Sequence, residues 1–348
     1  MYAVWHGAQT VNEIADRLGV SLVYVESEAE YLAEYGFLLE SKGTYQYNLL
    51  LDEPTDQLVQ LHYEMYAKAA HLFANELFDE LTTCGILQDK RILCGQADQP
   101  LPLKGTQRAD EPFLLWSLIP YITVLSGERL TDRTISFDEA ATIRPDGGRN
   151  ICYVSIAAAD VRKPLYHESM QQWYGPCWNG SKAHMLWQID SVWSARRMDD
   201  HYSAKADRIL SLYEKSQSAI LSEEECTFLA ETGMIKICHD ERGGFSPLWQ
   251  IVRFEDREIV KHLITIGDRI KEKHWAELEA LKAPFVQAVL KRTPKHLHKM
   301  QRYILQSTFF SDRWFILHCL KPLVNSGKLR LPTEDQKQAL TTIIIPQP

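Results

Sequence analysis

Residues 10–51 constrain the fold more than any other part of the 348-residue chain. They begin with a capping box, in which Thr10 precedes a helix and Glu13 stands three residues later. Apolar residues follow at helical spacing, and Gly19 can adopt the left-handed conformation that ends a helix. Ser21 is then placed to cap a second helix. The pattern predicts two short helices joined by a tight turn.

A β-hairpin is expected directly after the second helix. Gly36 ends that helix near Tyr35, and the stretches 37–40 and 45–48 are typical of two strands around the loop Ser-Lys-Gly-Thr. The buried face of the second helix is expected to carry Val25, Ala29 and Leu32. The order is therefore helix, turn, helix and hairpin.

The sequence TVNEIADRLGVS followed by YLAEYGFLLESKGTYQYNLL resembles winged-helix domains of bacterial transcription regulators of the MarR and ArsR type. It is also similar to winged-helix segments of bacterial sigma-factor-like proteins. The resemblance covers about the first 50 residues and implies a DNA-binding regulator, although winged helices also serve as protein-interaction modules. In such a domain the second helix and the wing face DNA. The positions that the resemblance places there are Ser21, Leu22, Tyr24, Ser27 and Lys42.

The same segment is strongly acidic. Residues 1–60 contain only two basic residues, Arg17 and Lys42, against ten acidic ones. The second helix has four Glu and no Lys or Arg. Because Lys and Arg contacts to phosphate supply most non-specific DNA affinity, this helix needs basic elements elsewhere or serves another purpose. A protein partner or a second copy of the chain is the alternative to DNA.

The stretch 261–302 has the opposite charge, with ten Lys and Arg against four acidic residues. Its last part, 291–302, contains five basic residues, two His and no acid. This composition favours phosphate binding. It equally favours docking against the acidic N-terminal segment of the same or another copy. The candidate contacts are Lys291, Arg292, Lys295, Lys299 and Arg302.

Residues 206–254 repeat the order of the opening segment. Leu-Ala-Glu-Thr-Gly at 229–233 parallels Leu-Ala-Glu-Tyr-Gly at 32–36, and each follows a Glu-rich helix. A hairpin is expected from 234–238 and 248–252, around a Gly-Gly loop. The pattern predicts a second winged helix.

A helical connector is expected between the acidic segment and the middle of the chain. Residues 58–84 are amphipathic at helical spacing, and 96–112 form a polar loop rich in Pro and Gly. Residues 113–125 are apolar and short, which is typical of a buried helix or strand.

The middle of the chain changes to strand periodicity. Residues 134–137 and 152–156 alternate, Asp-Gly-Gly at 146–148 indicates a hairpin, and a second turn at 178–181 leads into 185–189. We expect a meander of about four antiparallel strands. Its tryptophans either line a pocket for a small effector or fill the core of the sheet. They are Trp173, Trp178, Trp187 and Trp193.

The composition, with 45% apolar and 24% charged residues, is that of a soluble globular protein. No segment is long enough to span a bilayer, and the first residues do not form a signal peptide. Seven irregularly spaced Cys favour reduced thiols and a cytoplasmic location. A winged helix normally has a further helix before Thr10, and only residues 2–7 remain for it, which favours a piece of a longer protein or a very short first helix.

Motifs for catalysis are not found in the sequence. It contains no phosphate loop, nucleophile elbow, His-Glu-x-x-His pair or Cys-x-x-Cys pair. Cys177 and His184 could meet across the second expected hairpin, without further metal ligands. His296 and His298 are two residues apart and would point to different helix faces. We therefore expect no enzyme, no metal site and no cofactor.

The expected fold is α+β and multidomain. The domains are a winged helix at 1–51, a helical connector at 52–130, an antiparallel sheet at 131–200, a second winged helix at 201–260 and a basic helical region at 261–348. The expected function is that of a cytoplasmic bacterial transcription regulator that binds DNA. The alternatives are a protein-interaction scaffold that uses the acidic winged helix and a small-molecule sensor that uses the tryptophan-rich sheet.

Overall fold

The structure, a computed structural model, shows an α+β chain. It describes residues 2–4, 7–52, 55–94, 111–131, 135–155, 174–181, 183–190, 202–239, 245–311, 313–331 and 342–347. The helices in these ranges are α1 Val11–Leu18, α2 Leu22–Glu34, α3 Asp56–Thr83, α4 Glu111–Leu125, α5 Phe137–Ala140, α6 Tyr202–Ser216, α7 Glu223–Glu231, α8 Glu258–Lys273, α9 Trp275–Arg292, α10 His298–Leu305 and α11 Arg313–Asn325.

The strands are short, and most belong to small sheets. They are β1 Gln9–Thr10, β2 Leu38–Ser41, β3 Thr44–Tyr47, β4 Leu50–Asp52, β5 Ile92–Leu93, β6 Thr142–Ile143, β7 Arg149–Asn150, β8 Tyr153–Ser155, β9 Tyr174–Gly180, β10 His184–Asp190, β11 Ile235–His239, β12 Phe245–Trp249, β13 Val252–Phe254 and β14 Thr342–Pro346. The chain divides into two compact units. The first unit is Met1–His62, Thr131–Arg162 and Lys282–Thr308, and the second is Tyr63–Leu130, Lys163–Leu281 and Phe309–Pro348.

The two predicted helices at the start of the first unit are confirmed. The capping box forms, with the Thr10 N–H donating to Glu13 Oε2 over 2.7 Å and the Glu13 N–H donating to Thr10 Oγ1 over 3.3 Å. Gly19 ends α1 in the left-handed conformation, at φ 66°. Ser21 precedes α2 as predicted, but its side chain makes no capping hydrogen bond. These local signals set where each helix begins and ends.

The predicted hairpin is also confirmed. Strands β2 and β3 pair antiparallel, and β1 adds to the other edge of β3, so the sheet order is β1-β3-β2. The loop residues Lys42 and Gly43 both have positive φ, 53° and 75°. Positive φ at both central residues gives the twist that a two-residue hairpin loop requires. Gly is well suited to this conformation, whereas Lys adopts it less readily.

The core of the first unit joins the start of the chain to a distant segment. Buried side chains from α1, α2 and the hairpin pack in one cluster with Leu297 and Met300. Strand β4 follows the hairpin and pairs in parallel with β8, from Leu50 opposite Tyr153 to Asp52 opposite Ser155. The segment that carries the basic residues 291–302 is therefore part of the same unit as the acidic helix.

The predicted four-stranded meander is wrong for the described residues. The hairpin at 146–148 does form between β6 and β7, but β8 pairs with β4, and β9 and β10 belong to a third sheet. Of the expected strand at 134–137, the described residues 135–137 are not a strand either. A second capping box, between Ser136 and Glu139, starts the short helix α5 there. Local capping outweighed the weak alternation of apolar residues.

The second unit contains a five-stranded sheet in the order β5-β13-β14-β10-β9. Its centre is β14, which pairs in parallel with β13 and antiparallel with β10. Helices α6 and α7 precede a separate hairpin, β11 and β12, in which Ile235 lies opposite Trp249. The predicted second helix–hairpin order is thus present.

The long predicted helix at 58–84 corresponds to α3, and the short apolar segment at 113–125 is the buried helix α4 rather than a strand. Most of the expected loop at 96–112 lies outside the described residues. Among the residues that the structure describes, no helix is both long and apolar enough to cross a membrane.

Candidate functional site

Helix α2 turns one face to the core and the opposite face to solvent. Val25 and Ala29 are buried as predicted, and Leu32 packs against the same cluster partly buried. This spacing leaves the other side of the helix free of contacts with the core. All four positions of this segment that the resemblance places against DNA are exposed. They are Ser21, Leu22, Tyr24 and Ser27.

Large apolar side chains are concentrated on the exposed side of α2 and just before this helix. Of the thirteen large apolar side chains that are exposed among the described residues, six lie between residues 18 and 31. Val23 is 76% exposed and Tyr24 is 59% exposed. Scattered exposed apolar residues are normal, whereas a concentration of them marks an interaction site. The α2 surface consists of Leu18, Val20, Leu22, Val23, Tyr24 and Tyr31, together with Glu26, Glu28, Glu30 and Glu34.

The α2 surface is negatively charged. No Lys or Arg occurs between Arg17 and Lys42, and the guanidinium of Arg17 donates to the Ala3 carbonyl over 2.9 Å. The effect of the carboxylates extends to the hairpin. Burial raises the pKa of Tyr45, and the negative charges of Glu30, Glu40 and Glu26 raise it further. A ligand for this surface therefore needs positive charge.

Lys42 is exposed at the tip of the hairpin, where the resemblance places a wing contact. The Gly43 N–H donates to Glu40 Oε1 over 2.8 Å, which holds a carboxylate close to this loop. Tyr47, at the other end of β3, lies five residues from Lys42, or about 17 Å along an extended strand. The single cation of the wing is thus far from the base of the hairpin.

The basic segment 291–302 is anchored at the base of the hairpin. Leu297 and Met300 are buried in the core cluster. The His296 ring lies with Nε2 2.9 Å from the Tyr47 carbonyl oxygen, which can only accept a hydrogen bond. The basic side chains themselves are exposed. We call them the basic surface, which consists of Lys291, Arg292, Lys295, Lys299 and Arg302.

Two members of the basic surface share one side of α10. Lys299 and Arg302 are three residues apart, the spacing of neighbours on a helix face, and Lys295 lies in the 3-10 turn just before this helix. Lys299 Nζ lies 3.5 Å from Glu139 Oε1, in a pair that is half exposed on both sides. Exposed pairs of this kind contribute little, so Lys299 remains accessible to a stronger anionic ligand.

The earlier part of the predicted basic stretch has a different environment, in the second unit. Lys271 is completely buried, and its ammonium group donates to the carbonyl oxygens of Thr123, Ser126 and Phe309 over 2.6–2.8 Å. Lys273 pairs with Glu76 over 2.9 Å. Sequence composition treats Lys271 like the other lysines, and only the structure shows that it is not available for a ligand.

One of the four tryptophans of the predicted pocket has a described side chain. Trp187 is completely buried, and its ring meets the Tyr121 ring edge to face at 4.9 Å. Trp178 lies opposite Trp187 on β9, and only its backbone is described. Trp173 and Trp193 lie outside the described residues. The effector pocket therefore stays a prediction.

A polar cluster in the second unit was not expected from the sequence. Glu214 accepts hydrogen bonds from the Ser181 hydroxyl and from Nδ1 of His184, the latter over 3.1 Å. The Ser181 hydrogen bond is the main cause that lowers the pKa of the Glu214 carboxyl. Both groups bind the acid, whereas a catalytic triad needs the serine to donate to the histidine. The cluster ties the β9–β10 turn to α6.

The proposed pairing of Cys177 with His184 is contradicted by the strand register. Cys177 lies opposite Gln188, four residues along β10 from His184, or about 13 Å. In the described ranges, no three His, Cys, Asp or Glu side chains are arranged to hold a metal ion. The α2 surface and the basic surface are therefore the candidate binding sites of the described residues.

Comparison with known proteins adds no family assignment. No protein-family model matches the chain, and neither a curated protein nor a solved structure is significantly similar to it.

Proposed function

We propose that the chain is a winged-helix regulator of bacterial transcription that contacts DNA phosphates through its basic surface. The helix order of the first unit and the sheet order β1-β3-β2 support the winged helix. The observation that carries the DNA contact is the anchoring of the basic segment by buried Leu297 and Met300, which leaves its cations exposed.

In this proposal α2 does not enter the major groove. Its four glutamates would meet phosphate charges of the same sign, without a Lys or Arg on the helix to offset them. Contacts from the basic surface go to the phosphate backbone and carry no sequence information of their own. Binding should therefore depend strongly on salt and weakly on base sequence.

A cytoplasmic location belongs to the same proposal. Cys84, Cys152, Cys226 and Cys319 are free thiols, which suits a reducing compartment. The predicted second winged helix is a further part of the proposal, supported by the order of α6, α7, β11 and β12.

The test is the salt dependence of binding to a duplex of mixed sequence, measured by fluorescence anisotropy. Replacing Lys295 and Arg302 by Ala should weaken binding and reduce the slope of log K against log salt by about 2, one unit for each lost phosphate contact. The control is the double variant Lys261→Ala/Arg269→Ala, which removes two exposed cations of the second unit.

The proposal predicts that the control variant binds DNA like the wild type. Equal weakening by both double variants would show a general charge effect and contradict a specific surface. A wild-type chain without salt-sensitive binding would also overturn the proposal.

A further inference from the structure

We propose that the α2 surface binds a basic amphipathic helix of a partner protein. This inference uses residues other than the basic surface, so it stands or falls independently of DNA binding. Val23, Ser27, Glu30 and Glu34 follow each other at intervals of four, three and four residues along the outermost line of α2. Apolar and acidic side chains thus share one continuous helix surface.

The apolar part of the surface is already arranged for binding. Tyr31 is 53% exposed, and its ring lies 4.6 Å from the Tyr35 ring, so the two rings support each other. Tyr24 lies seven residues, about two helical turns, before Tyr31 and on the same side. Exposed aromatic side chains with few rotatable bonds are typical centres of binding energy.

The charges define the chemistry of the partner. The carboxylates of the α2 surface surround the apolar side chains, and α2 itself supplies no cation. A partner that covers the apolar side chains must bring Lys or Arg to the carboxylates, or leave like charges close together in a less polar environment. A helix with one apolar face bordered by Lys and Arg meets both requirements.

A second copy of the chain does not fit as well. Two α2 surfaces placed face to face would oppose glutamates with glutamates. The basic surface of another copy would supply cations, but Leu297 and Met300 of that segment are buried in its own core. Docking of that basic surface would leave Val23, Tyr24 and Tyr31 without an apolar counterpart. A separate partner protein is therefore the occupant that the observations favour.

The corresponding helix α7 receives cations from α6, within its own unit. Phe228, which matches Tyr31 by position, is covered by the Arg208 guanidinium at 4.1 Å from the ring centre. Glu225, which matches Glu28, pairs with Lys215 over 2.7 Å. The same two needs, a cover for a ring and a cation for a carboxylate, are thus met within the second unit. On α2 we assign them to the partner.

The test uses a fluorescein-labelled peptide of Leu and Lys, with Leu at helical spacing, and a matched peptide with Glu in place of Lys. The Lys peptide should bind the full chain, and the Glu peptide should bind at least tenfold more weakly. Glu30→Lys/Glu34→Lys should weaken binding of the Lys peptide about tenfold. Val23→Asp should also weaken it, although this variant adds negative charge.

The matched control residues lie in the second helix–hairpin segment of the same chain. Ile220 is 90% exposed in the turn before α7, and Glu223 is exposed in its first turn. Ile220→Asp and Glu223→Lys should leave peptide binding unchanged. Thermal unfolding of each variant checks the fold, and Val23→Ser replaces Val23→Asp if the latter is unstable.

Three results would overturn the inference. Equal or tighter binding by Val23→Asp, or by Val23→Ser where that is used, would show that charge alone attracts the peptide. Loss of binding in the control variants would place the peptide elsewhere. A wild-type dimer in sedimentation that Glu30→Lys/Glu34→Lys dissociates would identify a second copy as the occupant.

Discussion

The two helix–hairpin segments, residues 11–47 and 202–249, end their second helices with the same hydrogen bonds. The Phe37 N–H donates to the Leu32 carbonyl over 2.8 Å, and the Met234 N–H donates to the Leu229 carbonyl over 2.8 Å. The glycine that precedes each donor, Gly36 or Gly233, has φ 75° in both segments. Both therefore end in a Schellman motif, in which a left-handed glycine closes the helix.

The likeness continues beyond the hairpins. Asn48 and Gln250 each donate their backbone N–H back across the hairpin over 2.9 Å, to Phe37 and Met234 respectively. A short strand follows in each case, β4 or β13, and pairs in parallel with a distant strand. The backbone of the first segment is thus repeated in the second, although almost none of the exposed side chains are the same.

The difference lies in the side chains that face solvent. The carboxylates of α7 pair with Arg208 and Lys215 of α6, whereas among the described residues no such pair is found for the carboxylates of α2. The same framework therefore supports one surface that is satisfied within its own unit and one that is not. The helix–hairpin order therefore indicates the fold, and the exposed side chains indicate the function of each helix–hairpin segment.

The largest effect on the free energy of unfolding should come from replacing the buried Lys271 of the second unit, compared with the exposed Lys299 of the first. Lys271→Met keeps the length of the side chain but leaves the carbonyls of Thr123, Ser126 and Phe309 without this donor. We expect a loss of about 3 kcal/mol or more in the free energy of unfolding. Lys299→Met, in the first unit, should change it by less than about 0.5 kcal/mol.

Urea denaturation measures both variants. A comparable loss in the two would mean that burial does not distinguish these lysines.

A smaller effect should separate two left-handed glycines of the first unit. Alanine at position 19, where an added Cβ has no heavy atom within 4 Å, meets only the backbone penalty of the left-handed conformation, about 1–2 kcal/mol. At position 36 an added Cβ would also lie 1.9 Å from Thr142 Cγ2, so Gly36→Ala should cost about 2–4 kcal/mol.

Thr142→Ser tests the cause, because it removes the methyl group and keeps the hydroxyl that accepts from Asn48 Nδ2. Chemical denaturation of Gly36→Ala with and without Thr142→Ser should show partial recovery in the double variant. Absence of recovery would exclude the steric contribution.

The smallest effect should come from the helix caps. The Ser222 side chain accepts from the Glu225 N–H in a capping box, whereas Ser21 makes no side-chain bond. Ser222→Ala should therefore cost about 1 kcal/mol, and Ser21→Ala a few tenths. Thermal unfolding compares them, and equal costs would show that Ser21 caps α2 in solution.

Local signals predicted the first 50 or so residues of the first unit. Thr10 with Glu13 and the glycines at 19 and 36 act within a few residues of themselves, so the sequence displays them directly. The meander failed because β14 contributes the centre of the sheet from about 150 residues beyond β10. Such pairing leaves no mark on the local period of apolar residues.

The candidate site was predicted only in part. The winged-helix resemblance named the positions on α2, charge named the basic residues, and both sets are exposed. The apolar side of α2 was missed, although Val23 and Tyr31 lie off the predicted buried face and could have revealed it. The burial of Lys271 could not be foreseen, because its three carbonyl partners come from distant segments.

The central place of β14 has a consequence for synthesis on the ribosome. Strands β5, β9, β10 and β13 leave the exit tunnel first, and the strand that joins β13 to β10 follows almost a hundred residues after β13. Until then the backbone groups of two inner edges have no strand to pair with, and such edges recruit foreign strands readily. The nascent chain therefore passes through an interval in which the unpaired edges of β13 and β10 are substrates for chaperones.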